Sequence, residues 1–306
     1  MVLLVAKISK LYSKLENLHH QSQTEALSAS FEGFQSDVLN CLNTFSSPSS
    51  KPGSEILSFS WIQQCFELIP MINKAFAKLA VEIGYPASKW EAASVDEYLK
   101  YSLNLLELFN SISSSLSHLG QARLSLSHGV SLEEKSSGLA LNKLRAIQPM
   151  SFNKELVKGK VKDASCSGKE EVIHQAIMIM ECIGYWVNGI VLSGLSGNDK
   201  PYSEMRKFGG GFVKFSSFTR LDSSVFEVIV KKKGELKEVK EVNEAVASLV
   251  AAIAAGKNSG EAEELRRRLE VFERHLEGFG KEVDHLFNEV LRERNQLLHG
   301  FRQLKE

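Results

Sequence analysis

Charge of one sign is the first thing this chain lacks: 37 Lys and Arg stand against 37 Asp and Glu, leaving no net charge at pH 7. A general nucleic-acid binder needs a basic excess or stripe to meet phosphates, so that class is set aside. Cysteine is scarce as well. Cys41, Cys65, Cys166 and Cys182 lie far apart with no C-x-x-C spacing, which argues against a zinc site or a disulfide framework and favours a reducing compartment. Six prolines in 306 residues leave little to break helices, and strand-like alternation is rare. The opening MVLLVA meets Lys7 after six residues, too short for the apolar core of a secretion signal. A cytoplasmic protein is expected, with membrane association as the alternative.

What is present is helical spacing of apolar residues. Leu4, Ile8, Leu11, Leu15 and Leu18 fall on one helix face, and Leu27, Phe31, Phe34, Val38, Leu42 and Phe45 repeat the pattern. These two N-terminal helices (1–45) are followed by a mobile Ser/Pro linker, 46–56, whose SSPSSKPGS run cannot bury enough to order itself and offers serines for phosphorylation. The remainder, 57–306, reads as one helical bundle organised around Leu57 to Ser127. Ile62 to Ile83 predicts a helix kinked near Phe66 to Pro70. Ser94 with Glu97 predicts a capping box that starts a helix running to about His128, before Gly129. Leu99, Leu103 and Leu106, widened by Leu105, Leu108, Phe109, Ile112, Leu116 and Leu119, make that helix apolar past half its circumference, so it is expected in the middle of the bundle.

Leu139 to Ile147 predicts a weaker helix stopped by Pro149, then a polar linker over Ser151 to Ser165 and a second capping box from Ser167 to Glu170. Pro201 to Gly234 reads as the least helical part, so that 199–234 is expected to be a loop-rich insert in which VFEVIVKKK is either a short strand or a helix turn. Leu236 to Ile253 restores helical spacing, with Gly256 as its C-terminal cap. The last helix is the most regular. Leu265, Leu269, Phe272, Leu276, Phe279, Val283, Leu286 and Val290 alternate by four and three, a heptad seam that serves either to pack against the first helices of its own chain or to grip a partner. The fold class expected is all-α: an elongated multi-helix bundle with long antiparallel helices and a heptad-patterned C-terminal helix.

Candidate chemistry is thin. The run Val172 to Leu195 is long enough to cross a bilayer, yet it holds His174, Gln175, Glu181 and Asn188, and a central acid costs about 2.5–3.5 kcal/mol on insertion. We read it as a buried helix of a soluble bundle. Lys200 to Lys233 carries eight basic residues against three acidic ones, and Lys231, Lys232 and Lys233 beside Phe226, Val228 and Ile229 are the candidate contact with anionic lipid; a solvated loop is the plainer reading. KFGGGFVK lacks the Gly-Lys-Ser/Thr of a phosphate loop. His174, Glu181 and Cys182 share one stretch without the four ligands a metal needs, adjacent His19 and His20 point to different sides, and no G-x-S-x-G exposes a serine. No catalytic, cofactor-binding or metal-binding residue is therefore assigned, no cofactor and no small-molecule substrate are expected, and the partners foreseen are an unidentified protein and an anionic membrane surface.

Two segments carry a resemblance. LSFSWIQQCFELI, followed by VDEYLKYSLNLLELFNSISSSLSHLGQARL, is similar to the N-terminal signature of the plant BYPASS family, with Asp96, Tyr98, Leu99, Ser102, Leu105, Leu106 and Leu108 at its motif positions. LEGFGKEVDHLFNEVLRERNQLLHGFRQL resembles that family's closing helix through Arg294, Leu297 and Leu298. The resemblance runs from about Phe31 to Leu304 and fits poorly over Pro201 to Gly234. It implies an elongated helical bundle and a non-enzymatic regulatory protein of root and shoot development, restraining a root-derived mobile signal; a peripheral membrane adaptor acting through 172–233 is the alternative. Every matched position is a packing position.

Overall fold

The computed structural model describes residues 24–43, 56–133, 137–151, 168–209, 216–231, 233–256 and 260–303. The helix expected over Leu4 to Leu18, His19 and His20, the SSPSSKPGS run, nearly all of the Ser151 to Ser165 linker, Ser167, Cys166 and Lys232 lie outside these residues. Among the described residues all regular structure is helical and there is no strand. The elements are α1 (24–43), α2 (Phe59–Glu82), a 3-10 turn (Ala87–Lys89), α3 (Ala92–Glu133), α4 (Ser137–Lys143), α5 (Lys169–Ser196), α6 (Lys200–Gly209), α7 (Ser216–Phe226), a π turn (Glu227–Lys231), α8 (Lys237–Ala254) and α9 (Glu261–Gln303). At 42 and 43 residues, α3 and α9 each extend about 60 Å, and they lie along one another.

The expected seam of α9 is part of this chain's own core. Leu265, Leu269, Phe272, Leu276, Phe279, Val283, Leu286 and Val290 are all buried. Their neighbours among the described helices include α3, α8 and α2. Burying one such side chain is worth roughly 1.5–3 kcal/mol, which offsets the roughly 1 kcal/mol that Gly278 and Gly280 each cost in a helix interior. Phe279 is fully enclosed, its ring meeting Phe66 edge-on at 5.3 Å and Phe59 at 6.5 Å. Polar ties flank the seam: Arg123 to Glu273 at 2.7 Å from α3, and Gln63 to Glu282 at 2.9 Å from α2.

The helix enclosed on every side is α5, not α3 as expected. Every residue of α5 except Lys169, Glu171, Gln175 and Glu181 is buried. In α3 the burial is one-sided, and Leu103 and Leu124 are exposed, because its serines and asparagines occupy much of the remaining circumference. By length and composition α5 could cross a membrane, yet 89% of its most apolar window is buried among the other helices. Its polar residues are answered across the α3 face: His174 Nδ1 lies 2.6 Å from Glu97 Oε2, and Asn104 of α3 donates to Glu181 at 3.3 Å and to Tyr185 at 2.9 Å.

The capping box of Ser94 and Glu97 yields to tertiary partners, and of the Ser167 to Glu170 box only Glu170 is among the described residues. Ser94 lies inside α3 and donates to Glu170 of α5, while Glu97 turns to His174. Glu170 is buried and also accepts from Tyr85 Oη at 2.8 Å and from the Glu91 amide, so one carboxylate organises the start of α3 and of α5. Gly129 does not end α3. A Cβ there would sit 3.0 Å from Leu144 Cδ2, so glycine serves the close passage of the segment after α4, and α3 continues to Glu133. The weak helix, α4, stops at Lys143, ahead of Pro149. Pro70 sits within an unbroken α2 on its exposed side, and Gly256 adopts the left-handed conformation foreseen for it, φ +64°.

The segment 199–234 corrects the expectation of a loop-rich insert: α6, α7 and the π turn occupy most of its described residues. Each is too short to show periodicity alone, but Tyr202, Met205, Phe218, Val225 and Ile229 are buried, and α6 lies along α5. The five-residue repeat of the π turn explains why VFEVIVKKK fitted neither period. Asp222 anchors the layer. It is buried and accepts from Trp186 Nε1 at 3.0 Å, from the Tyr202 hydroxyl and from Arg206 Nε at 2.7 Å.

The N-termini of α2 and α8 meet at one point. Ser58 caps α2 by accepting from the Trp61 amide at 3.3 Å, and Glu238, in the first turn of α8, accepts the Phe59 amide at 3.1 Å. Leu57, just before the cap, holds φ +67° and accepts the Lys237 amide at 2.8 Å. A left-handed leucine is costly, and it persists because its side chain is buried against Gly234, where a Cβ would come within 2.8 Å of Leu57 Cδ1.

Candidate functional site

A half-open groove of about 630 Å³ lies where α2, the 3-10 turn and α3 face the C-terminal third of α9. Three aromatic rings form its inner wall. Phe76 of α2, Trp90 after the 3-10 turn and Tyr98 of α3 stand 5.7–6.0 Å apart, Phe76 and Tyr98 stacked and Trp90 edge-on to both. Sequence order alone separates these rings; the turn brings them together, because Trp90 Nε1 donates to the Tyr85 carbonyl at 3.0 Å and fixes the chain between α2 and α3. Ala77 and Ala80 keep the α2 side open, and Leu286, Val290 and Leu297 supply apolar surface from α9.

Polar groups stand at the edge. Glu289 and Glu293 come from successive turns of α9, Asn73 and Lys74 from α2. Tyr101 Oη donates to Asn73 at 3.0 Å and holds that amide in place. The Tyr98 hydroxyl reaches Glu293 at 3.5 Å. Burial and the neighbouring Glu289 push the Glu293 carboxyl above the usual carboxylate range, and burial, then Glu293, pushes the Tyr98 phenol up. The arrangement has an apolar body and a negative rim, suited to binding rather than to proton transfer.

Two of the family-like motif positions reach this groove. Tyr98 lines it, while Leu105, Leu106 and Leu108 are buried in the core behind it. Arg294 binds the Leu99 carbonyl and, at 2.9 Å, the Ser102 hydroxyl, which ties the end of α9 to the start of α3. Asp96 pairs with Lys100 on the surface. Leu297 joins the groove wall and Leu298 is half-buried.

The other candidates do not converge. Lys231 pairs with Glu227 at 3.0 Å on the π turn, and Lys233 is exposed with φ +48°. Among the described residues no three His, Cys, Asp or Glu gather as a metal set. His174 is taken by Glu97, and Cys182 is buried on α5, where burial and then Glu181 push its thiol up to about 12. Cys65 is enclosed and its thiol is also raised by burial. Both thiols are buried and raised, so native protein treated with iodoacetamide at about pH 8 is expected to leave Cys65 and Cys182 unmodified in a tryptic mass map, and urea to expose both. Rapid native alkylation of either would contradict the burial.

No family model matches the chain, and no solved structure does. Curated plant proteins do. The chain is 27% identical over 222 residues to UPF0496 protein 4 of Oryza sativa subsp. japonica, covering 62% of this chain and 47% of that protein. The counterpart in Oryza sativa subsp. indica matches at 27% over 217 residues. Protein BPS1, chloroplastic, of Arabidopsis thaliana is 23% identical over 290 residues, covering 87% of this chain and 82% of that protein. The chain spans about half the length of the rice relatives it matches. These likenesses bear out the resemblance to the BYPASS family read from Asp96 to Leu108 and Arg294 to Leu298. The Arabidopsis protein's name describes that protein as chloroplastic.

Proposed function

From its likeness to BYPASS-type plant proteins, we propose that this chain is a non-enzymatic regulatory protein that works by binding. Its role is in root and shoot development, as a restraint on a root-derived mobile signal that arrests the shoot. The observation that carries the reading is the similarity to Protein BPS1, which extends along 87% of the chain rather than over one motif. The chemistry agrees. Three clusters of interior polar groups, at Glu170, His174–Glu97 and Asp222, are engaged within themselves and hold helices in place. The groove beside α9 is the surface through which binding takes place.

Complementation tests this. The chain, expressed in plants whose endogenous BYPASS relative is disrupted, is expected to restore shoot growth when present in the root. Protein that accumulates there without restoring growth overturns the developmental role.

A further inference from the structure

The groove has a chemical character that its position between packed helices does not require. Its wall is aromatic, its floor aliphatic, and its charged rim is unbalanced, with Glu289 and Glu293 against Lys74. Lys74 is exposed on the α2 side. Glu289 has partners along its own helix, Arg292 at 3.9 Å and His285 at 3.6 Å. Glu293 has the neutral Tyr98 hydroxyl at 3.5 Å, and the neighbouring Arg292 offsets its charge only in part. Two carboxylates a helical turn apart repel one another, and both gain if a cation settles between them and the ring wall. Ring faces attract a desolvated cation as well.

We propose that this groove binds a small organic ammonium ion, with its charged nitrogen between Glu289, Glu293 and the Tyr98 ring and its apolar body along Phe76 and Trp90. The volume, about 630 Å³, suits a ligand of ordinary metabolite size. An inorganic cation leaves the aromatic and aliphatic surface unused, and a carboxylate ligand meets repulsion at the rim. The Glu293 carboxyl is raised because burial and the charge of Glu289 outweigh what Tyr98 and Arg292 give back. This inference stands apart from the developmental role, because it concerns binding by the purified chain.

Calorimetric titration at pH 7.5 with 4-phenylbutylamine, 4-phenylbutanol and 4-phenylbutyrate tests it, since the three probes share a body and differ in head-group charge. The amine is expected to bind saturably, one per chain, at least about tenfold more tightly than the alcohol, with the carboxylate weakest. The Glu289→Gln, Glu293→Gln double variant is expected to lose about tenfold in amine affinity and to hold the alcohol as before, while the Glu270→Gln, Glu277→Gln double variant, an equal charge change at exposed positions elsewhere on α9, leaves all three unchanged. Ala77→Trp, which adds bulk at an exposed position on the α2 wall, is expected to abolish binding of amine and alcohol alike. Equal affinity for amine and alcohol, an undiminished double variant, or no saturation by about 5 mM amine would each overturn the proposal. Both carboxylates are partly open to solvent, so the double variant is expected to melt within a few degrees of the parent, and the comparison of probes on the unaltered protein decides the matter even if Ala77→Trp does not fold.

Discussion

Phe279→Ala is expected to lower the free energy of unfolding by about 4 kcal/mol and the melting temperature by roughly 10 °C. The ring is fully enclosed and touches Phe59 and Phe66 of α2 from α9. Its removal leaves a cavity that three rigid helices cannot close. Urea unfolding followed by circular dichroism at 222 nm gives the measure. The exposed-face control on the same helix, Glu270→Gln, is expected to change stability by less than about 0.5 kcal/mol. A loss below about 1 kcal/mol for Phe279→Ala would mean that the α9 seam is not what the core is built on.

The second large effect is polar. Asp222→Ala removes the carboxylate that accepts from Trp186, Tyr202 and Arg206 together, leaving the Trp186 indole N–H buried without it, while the Tyr202 hydroxyl keeps only the main-chain carbonyl of residue 222, at 3.1 Å. An unpaired buried group costs about 1–3 kcal/mol, so a total loss of about 2–3 kcal/mol is expected, with some of it restored by Asp222→Asn, whose amide oxygen still accepts. Arg206 stays partly solvated, with its side chain 39% exposed, and adds little. The distinctive readout is local. Amide exchange over α6 and α7 is expected to quicken by more than that over α9 does, since those two short helices are held to α5 through this carboxylate. Equal acceleration along the whole chain would argue against a discrete latch.

How much of this was legible beforehand follows from how far each pattern extends. The α9 seam runs through eight consecutive heptad positions, and all eight are buried, because a long amphipathic pattern has one way to be satisfied. The polar residues embedded in Val172 to Leu195 were visible, but their partners Glu97 and Asn104 lie on another helix and announce themselves only in three dimensions. For the same reason Ser94 and Glu97, spaced for mutual capping, each found a stronger partner across the α3–α5 interface. α6 and α7 escaped notice because ten or eleven residues give too few turns for a period to stand out, and the π turn shifts the phase. The groove was the least readable feature. Its ring wall draws on α2, the link after it and α3, its carboxylates come from α9 some 190 residues later, and no sequence window contains both.

The shared carboxylate at the α2–α8 junction bears on how the chain is made. Glu238 and Phe59 are 179 positions apart. At roughly 5–20 residues per second a ribosome needs on the order of ten to forty seconds to get from one to the other. Through that interval α2 has emerged without its second cap, and the faces of α2 and α3 that α9 will cover have nothing to lie on. Completion of the core therefore waits for the synthesis of α9, and a nascent chain paused before Glu261 is a natural client for chaperones that shield apolar helices.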